Sequence, residues 1–168
     1  MRPLSRGELT LRSKNPRDTP RLDPHYLEHP QDLEDYITAV RLTQEIIAQE
    51  AFDLYRGEPL SPGPDVQNDK ALAEWIRTHT ESAYHPCSTC AMGDDDNSVV
   101  DPDCRVHGVD ALRVVDASIM PDEVSGNLNA PTIMIAEKAA DKIRGRPALA
   151  PAKGVPVYEA PNWQTHQR

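Results

Sequence analysis

Apolar residues recur at helical spacing in three stretches of the chain. The first covers residues 31–49, the second begins after Asn68, and the third covers residues 132–144. Asn68 belongs to the residue types that cap helix N-termini, and Gly145 and Pro147 follow the third stretch where a helix would end. The pattern therefore predicts three amphipathic helices.

Two further stretches have the pattern of strands. Residues 7–13 alternate polar and apolar positions before the Asn15-Pro16 pair, which predicts a half-buried strand around Leu9. Residues 112–115 form a short apolar run that ends at Asp116 and predict a second strand. A lone strand leaves a row of unpaired backbone groups. The Leu9 strand therefore needs partners later in this chain or in another one.

Composition narrows the class of protein. A chain of 168 residues predicts one domain, and 16 prolines predict much irregular structure. The net charge of −9 argues against nucleic acid as a partner. The sequence has no run of about 18 apolar residues and no signal-peptide pattern. With an odd cysteine count that favours a reducing compartment, this predicts a cytoplasmic protein that is not secreted.

The cysteines permit a metal hypothesis. Cys87 and Cys90 are separated by two residues, and after thirteen intervening residues Cys104 and His107 repeat that spacing, as in a Cys3His zinc site. Ala91 stands where a zinc knuckle usually has glycine, and small apolar cysteines also pack well in cores. A thioredoxin-like role is disfavoured because no helix pattern continues after Cys90.

His85 and Asn127 permit a different hypothesis. An imidazole and an amide can hold an alcohol oxygen between them, the imidazole taking its proton. The helix predicted after Asn129 would present its N-terminus nearby, where it could stabilise negative charge on a reduced ring system. From the residues alone, the metal and the alcohol hypotheses both stay open.

A series of ordered motifs resembles the C-terminal part of the glucose–methanol–choline (GMC) oxidoreductases. These motifs are AYHP at 83–86, VVDP at 99–102, RVxGV at 105–109, LRVVDASIMP at 112–121 and SGNLNAPT at 125–132. MRPxSRG at 1–7, LRS at 11–13 and IxAQ at 46–49 extend the resemblance toward the start of the chain. Matches in this order over nearly the whole chain are highly specific.

The resemblance implies an FAD enzyme that oxidises choline to betaine aldehyde and passes electrons to a quinone-linked acceptor. It implies that His85 is the catalytic histidine and that Asn127 lies beside the substrate oxygen. It places Asp116 and Ala117 in the segment at the ribityl and phosphate part of FAD. Asn129, Pro131 and Thr132 would lie at the edge of the isoalloxazine ring. The cysteines would then be packing residues, and no metal is expected.

The resemblance also implies a division of the chain. Residues 1–80 would belong to the substrate-binding domain, residues 81–146 would complete the FAD domain, and residues 147–168 would be a tail. The expected fold is an α+β segment of an α/β FAD-binding flavoprotein.

The GxGxxG fingerprint that binds FAD phosphates does not occur in the sequence. Met1 matches a position that is internal in the family. We therefore expect a catalytic segment that works only when joined to or complemented by the missing N-terminal half. The alternative is a non-enzymatic remnant or a small Cys3His zinc-binding module.

Overall fold

The computed structural model describes residues 2–156. Its regular elements are β1 (Glu8–Thr10), β2 (Arg21–Asp23), α1 (Pro30–Ile47), α2 (Asp69–His79) and α3 (Asn129–Ile143). Two short 3-10 helices lie at Glu50–Phe52 and Ala117–Ile119. The three predicted helices are confirmed, with boundaries within three residues of the predicted ones.

The predicted Leu9 strand forms, but it is shorter and more exposed than expected. β1 pairs with β2 as an antiparallel hairpin in which Leu9 stands opposite Leu22. Leu9 is 48% exposed and Leu22 is 66% exposed. The prediction of half burial is wrong, because within the described residues only these two strands form the sheet and no element covers either face.

Helices α1 and α2 pack together and form one apolar core. Leu72 and Ile76, one turn apart on α2, are buried as the stripe of apolar positions predicted. The Asn68 side chain accepts a hydrogen bond from the Ala71 amide and caps α2. Arg41 of α1 pairs with Asp69 of α2 at 3.1 Å. The two helices are thus in contact, and a surface ion pair joins them.

Asp32 anchors the N-terminal segment to the first turn of α1. Its buried carboxylate accepts hydrogen bonds from the Leu4 amide at 2.7 Å, the Ser5 amide at 2.8 Å and the Ser5 hydroxyl at 2.5 Å. Burial alone would raise the pKa of this carboxyl. The hydrogen bonds from Leu4 and Ser5 outweigh that effect and hold the pKa of Asp32 below its usual range.

A second core lies in the C-terminal half of the described chain. Val100, Cys104, Ile119 and Ala139 form its buried cluster. Met92, Val99, Val106, Val114, Val115 and Ile135 pack against that cluster. Because Ala139 and Ile135 belong to α3, this core joins the helix to the loops that carry the candidate site residues.

The predicted strand at residues 112–115 does not form. Arg113 makes one isolated antiparallel bridge with Arg105, and the Val106 amide donates to the Leu112 carbonyl at 3.0 Å. The prediction of a strand is wrong, because the neighbouring segments of the same chain form only single β-bridges with residues 112–115 and no continuous strand. Val114 and Val115 still face the second core, as their apolar pattern indicates.

Helix α3 ends as its sequence predicts. Gly145 has φ +65°, a conformation that favours glycine, and its amide donates to the Lys142 carbonyl at 3.1 Å. The Arg146 amide donates to the Asp141 carbonyl at 2.9 Å, which completes a Schellman motif. Residues 147–156 form neither helix nor strand, and the rest of the predicted tail, residues 157–168, lies outside the described residues.

No helix in residues 2–156 is long and apolar enough to cross a membrane.

Candidate active site

His85 lies in a loop that turns sharply on both sides of it. Tyr84 has φ +60° and Ser88 has φ +70°, left-handed conformations that are uncommon for residues other than glycine. Pro86 restricts the backbone between them. The His85 side chain is half-buried, so its ring is partly accessible to a substrate. We name residues 83–93 the His85 loop.

Two backbone hydrogen bonds join the C-terminal end of the His85 loop to the 3-10 helix at Ala117–Ile119. The Cys90 amide donates to the Ser118 carbonyl at 2.9 Å, and the Met92 amide donates to the Ile119 carbonyl at 2.9 Å. Ile119 is buried in the second core. The loop that carries the predicted base is therefore tied to the segment predicted to contact the flavin.

Asp116 organises that segment. Its carboxylate accepts from the Ser118 amide at 2.8 Å and from the Ser118 hydroxyl at 2.5 Å, and so caps the short 3-10 helix. Asp116 is exposed and Ala117 is half-buried, which leaves this turn accessible on its outer side. The turn could therefore hold a polar part of a cofactor.

In the first turn of α3, no side chain at the N-cap accepts a hydrogen bond from the backbone amides. The buried Leu128 at the N-cap position offers no side-chain hydrogen bond, and the first turn contains no acidic residue. Pro131 has no amide hydrogen, while the Thr132 amide and hydroxyl both donate to the Leu128 carbonyl, at 2.9 and 2.6 Å. The amides of Asn129 and Ala130 remain as donors for an external, electron-rich group. This arrangement fits the edge of a flavin ring.

Asn127 is exposed and lies two residues before α3. Within residues 2–156, no hydrogen bond joins its amide to the His85 ring. The structure thus brings the His85 loop, the Asp116 turn and α3 around one core, through Ile119 and Ala139. It does not join the side chains of His85 and Asn127 directly.

Two of the four residues of the hypothetical zinc site, Cys104 and His107, have different surroundings. Cys104 is buried in the second core, where burial raises the pKa of its thiol. The Nε2 atom of His107 donates a hydrogen bond to the Gly93 carbonyl at 3.0 Å. In the described part of the chain, no three histidine, cysteine or acidic side chains are grouped to hold a metal ion. The geometry gives no support to the Cys3His module.

The carbonyls of Ser118 and Ile119 were not among the predicted site residues. They hold the end of the His85 loop, yet they act through backbone atoms that every residue type carries. No side-chain pattern could have singled them out. Their position after Asp116 in the LRVVDASIMP motif is the one signal in the sequence.

Comparison with known proteins defines the class of protein. A family model described as GMC oxidoreductase matches residues 3–136. The chain belongs to the GMC oxidoreductase family, and the resemblance of its motifs to that family is confirmed.

Three relatives show the range of the similarity. The chain is 47% identical to an oxygen-dependent choline dehydrogenase of Photobacterium profundum, over 99% of this chain and 30% of the relative. It is 57% identical to the mitochondrial choline dehydrogenase of Homo sapiens, over 95% of this chain and 27% of the relative. A solved FAD-dependent oxidoreductase from Chaetomium thermophilum superposes with a TM-score of 0.80 at 32% identity, covering 86% of this chain and 25% of that one.

The chain therefore spans about 30% of the length of the curated relatives that it matches. Its fold is that of the C-terminal region of FAD-dependent GMC oxidoreductases, which confirms the predicted fold class.

Proposed function

We propose that this chain is the catalytic C-terminal portion of an FAD-dependent choline dehydrogenase that oxidises choline to betaine aldehyde. The observation that carries the proposal is the bonding of the His85 loop to the Asp116 turn, in a chain about half identical to choline dehydrogenases. This contact couples the predicted base to the predicted cofactor segment.

His85 takes the hydroxyl proton of the alcohol. A neutral imidazole can accept that proton as the carbon beside the hydroxyl loses hydride, and a positioned base of this kind is the usual device for alcohol oxidation. The Asn127 amide donates a hydrogen bond to the same oxygen and fixes its orientation. FAD, when bound, accepts the hydride.

The cofactor is held from two sides in this proposal. Asp116 and Ala117 face its ribityl and phosphate part at the accessible turn. The first turn of α3, with Asn129, Pro131 and Thr132, faces the edge of the ring, where its free amides and the helix dipole favour negative charge. That turn carries no acidic side chain that would oppose such charge.

The chain works with a partner that supplies the phosphate-binding fingerprint. We propose the N-terminal half of the same enzyme, joined to this chain or complementing it, as that partner. This partner would cover exposed apolar side chains of the described chain, such as Ile133 and Met134 on α3.

The electron acceptor is a further part of the proposal. The resemblance implies a quinone-linked acceptor, which would place the enzyme in the cytoplasm or at the surface of an inner membrane. The Photobacterium relative is named oxygen-dependent. We retain the quinone-linked acceptor and test it against oxygen in the same assay.

Complementation tests the proposal. The chain is co-expressed with the N-terminal part of a choline dehydrogenase relative, and the purified complex is assayed for flavin, for choline-dependent reduction of a quinone analogue, and for choline-dependent oxygen consumption. We expect a flavin-containing complex that oxidises choline and reduces the quinone analogue faster than oxygen. The matched control carries His85→Ala in the same complex.

Each result has a separate meaning. A flavin-containing complex that oxidises other alcohols but not choline would overturn the substrate. Faster electron transfer to oxygen would overturn the acceptor. A complex in which His85→Ala is as active as the unmodified chain would overturn the role of His85.

A further inference from the structure

The three cysteines have different surroundings. Cys104 is 5% exposed, and its burial raises the pKa of the thiol. Cys87 and Cys90 are partly exposed, carry free thiols and lie three positions apart in the His85 loop. Because the thiolate is the form that reacts with oxidants, the first two cysteines are suited to oxidation and Cys104 is not.

The backbone around Cys87 and Cys90 is shaped for a local turn. Ser88 lies between them at φ +70°, a left-handed backbone conformation. Its hydroxyl donates a hydrogen bond to the Cys87 sulfur at 3.4 Å. This contact keeps the Cys87 sulfur in a polar setting, so Cys87 is assigned as the thiol of the pair that attacks first.

The two ends of this turn are held unequally. Cys90 is fixed by its backbone hydrogen bond to Ser118, whereas no amide of residues 85–89 donates a backbone hydrogen bond in the described part of the chain. Cys87 can therefore approach Cys90 by a rearrangement of residues 85–89 alone. No contact of the second core would have to break.

We propose that Cys87 and Cys90 form a reversible disulfide under oxidation by peroxide and constitute a redox modification site in the His85 loop. The Cys87 thiolate attacks one peroxide oxygen, so that an S–O bond forms, the O–O bond breaks and the other oxygen leaves as water. The Cys90 thiol then attacks the Cys87 sulfur, the S–S bond forms, and the second oxygen leaves as water. One peroxide takes two electrons and two hydrogens from the pair.

The consequence rests on the proposed function. His85 is two residues before Cys87, so closing the disulfide fixes the backbone that positions the base. A shift of about 1 Å in a catalytic group can cost on the order of 100-fold in rate. We expect the oxidised enzyme to lose about tenfold or more of its choline turnover and to recover it with dithiothreitol.

Thiol chemistry on the purified chain tests the modification itself. After limited treatment with hydrogen peroxide we expect a mass lower by two hydrogens, one free thiol instead of three in the denatured chain, and a peptide crosslinked between Cys87 and Cys90. Cys104→Ser should form the same crosslink. Cys90→Ser should instead stop at a singly oxygenated Cys87.

Two outcomes would overturn the modification. One is a crosslink or oxidation at Cys104 with Cys87 and Cys90 still reduced. The other is accumulation of doubly or triply oxygenated Cys87 in the unmodified chain without any disulfide.

Assay of the complemented enzyme tests the consequence. Peroxide should inhibit the unmodified complex, and dithiothreitol should restore its activity. The Cys90→Ser complex should stay active when the peroxide is diluted out without adding dithiothreitol. Equal inhibition of both complexes would contradict the link between disulfide and turnover. If the complex fails to oxidise choline at all, the proposed function fails, while the mass and thiol measurements still decide the disulfide.

Discussion

At the residue scale, the sharpest contrast is between His85 and Asn127. His85→Ala in the complemented enzyme removes the proposed proton acceptor, so we expect turnover of choline to fall by about 10²–10⁴-fold, the usual effect of losing a positioned acid–base group. Asn127→Ala removes one hydrogen bond and leaves the base, so it should cost less. Steady-state rates with flavin content measured for each variant make the comparison.

Cys87→Ser and Cys90→Ser are the matched controls for that contrast. Both lie in the same loop as His85 and should change turnover little under reducing conditions. Damage to the loop fold would lower the rate of all the loop variants together. A normal rate in His85→Ala alongside inactive cysteine variants would contradict the role given to His85.

Asp32 supports a prediction about pH. The folded pKa of Asp32 lies below the unfolded value of about 3.9, so its stabilisation is fully present above that pH and is lost as the pH falls through the folded pKa. Asp32→Asn should lower the free energy of unfolding at neutral pH by about 1–3 kcal/mol, because an amide cannot accept all three hydrogen bonds. Urea unfolding at pH 7 and at lower pH measures this.

Glu34→Gln makes the same carboxylate-to-amide change at an exposed position of α1 and is the control. The difference between the Asp32 variant and the unmodified chain should shrink in acid, whereas Glu34→Gln should stay close to the unmodified chain at neutral pH. If the difference in unfolding free energy between Asp32→Asn and the unmodified chain grew as the pH fell, it would contradict the direction of the pKa shift.

Side-chain types made His85 and Asn127 visible as candidates, and the resemblance gave them roles. The anchor at Asp32 was not predicted from the sequence. Its donors, Leu4 and Ser5, lie 28 and 27 positions away, and two of the three are backbone amides. Local patterns cannot reveal a contact whose partners carry no side-chain signature and lie in another segment.

At the scale of elements, the N-terminus of α2 depends on one side chain. Asn68→Ala removes the acceptor of the Ala71 amide, which lies 2.9 Å from the Asn68 oxygen. We expect the chain to lose about 1 kcal/mol of stability, within a usual range of about 0.5–2 kcal/mol for such caps. Asn68→Asp keeps an acceptor and should lose much less. Thermal unfolding followed by circular dichroism compares the two, and equal losses would contradict the capping role.

The helices were predicted more completely than the strands, for a physical reason. Each helix satisfies its backbone hydrogen bonds within its own segment, so periodicity and end signals such as Asn68 and Gly145 suffice to locate it. A strand exists only with a neighbour. β1 pairs with β2 but remains exposed, and residues 112–115 form only a single β-bridge, through Arg113.

At the scale of the whole molecule, the chain leaves much apolar surface uncovered. Twenty large apolar residues of the described chain are exposed, whereas eight hydrophobic residues, Cys104 and Ala139 among them, are buried. Ile133 and Met134 are exposed on α3, the helix whose other face packs on the second core. Where exposed apolar side chains form a contiguous patch, they mark a surface that another part of a protein covers. Composition predicted a small core, but only the fold shows which faces it leaves open.

The last prediction follows from how FAD is held. Its pyrophosphate needs backbone donors of a glycine-rich turn at a helix N-terminus, and the GxGxxG sequence that builds such a turn does not occur in this chain. The first turn of α3 offers donors for the ring edge alone, which cannot replace that contact. We therefore expect the purified chain to show no flavin absorbance and no saturable change in FAD fluorescence on titration. The complex with the N-terminal part should hold one FAD, and should hold it equally in the His85→Ala variant, because the role proposed for His85 is in proton transfer and not in binding the pyrophosphate. A yellow chain with stoichiometric flavin would show that these 168 residues bind the cofactor unaided, and would remove the reason for placing phosphate recognition in the partner.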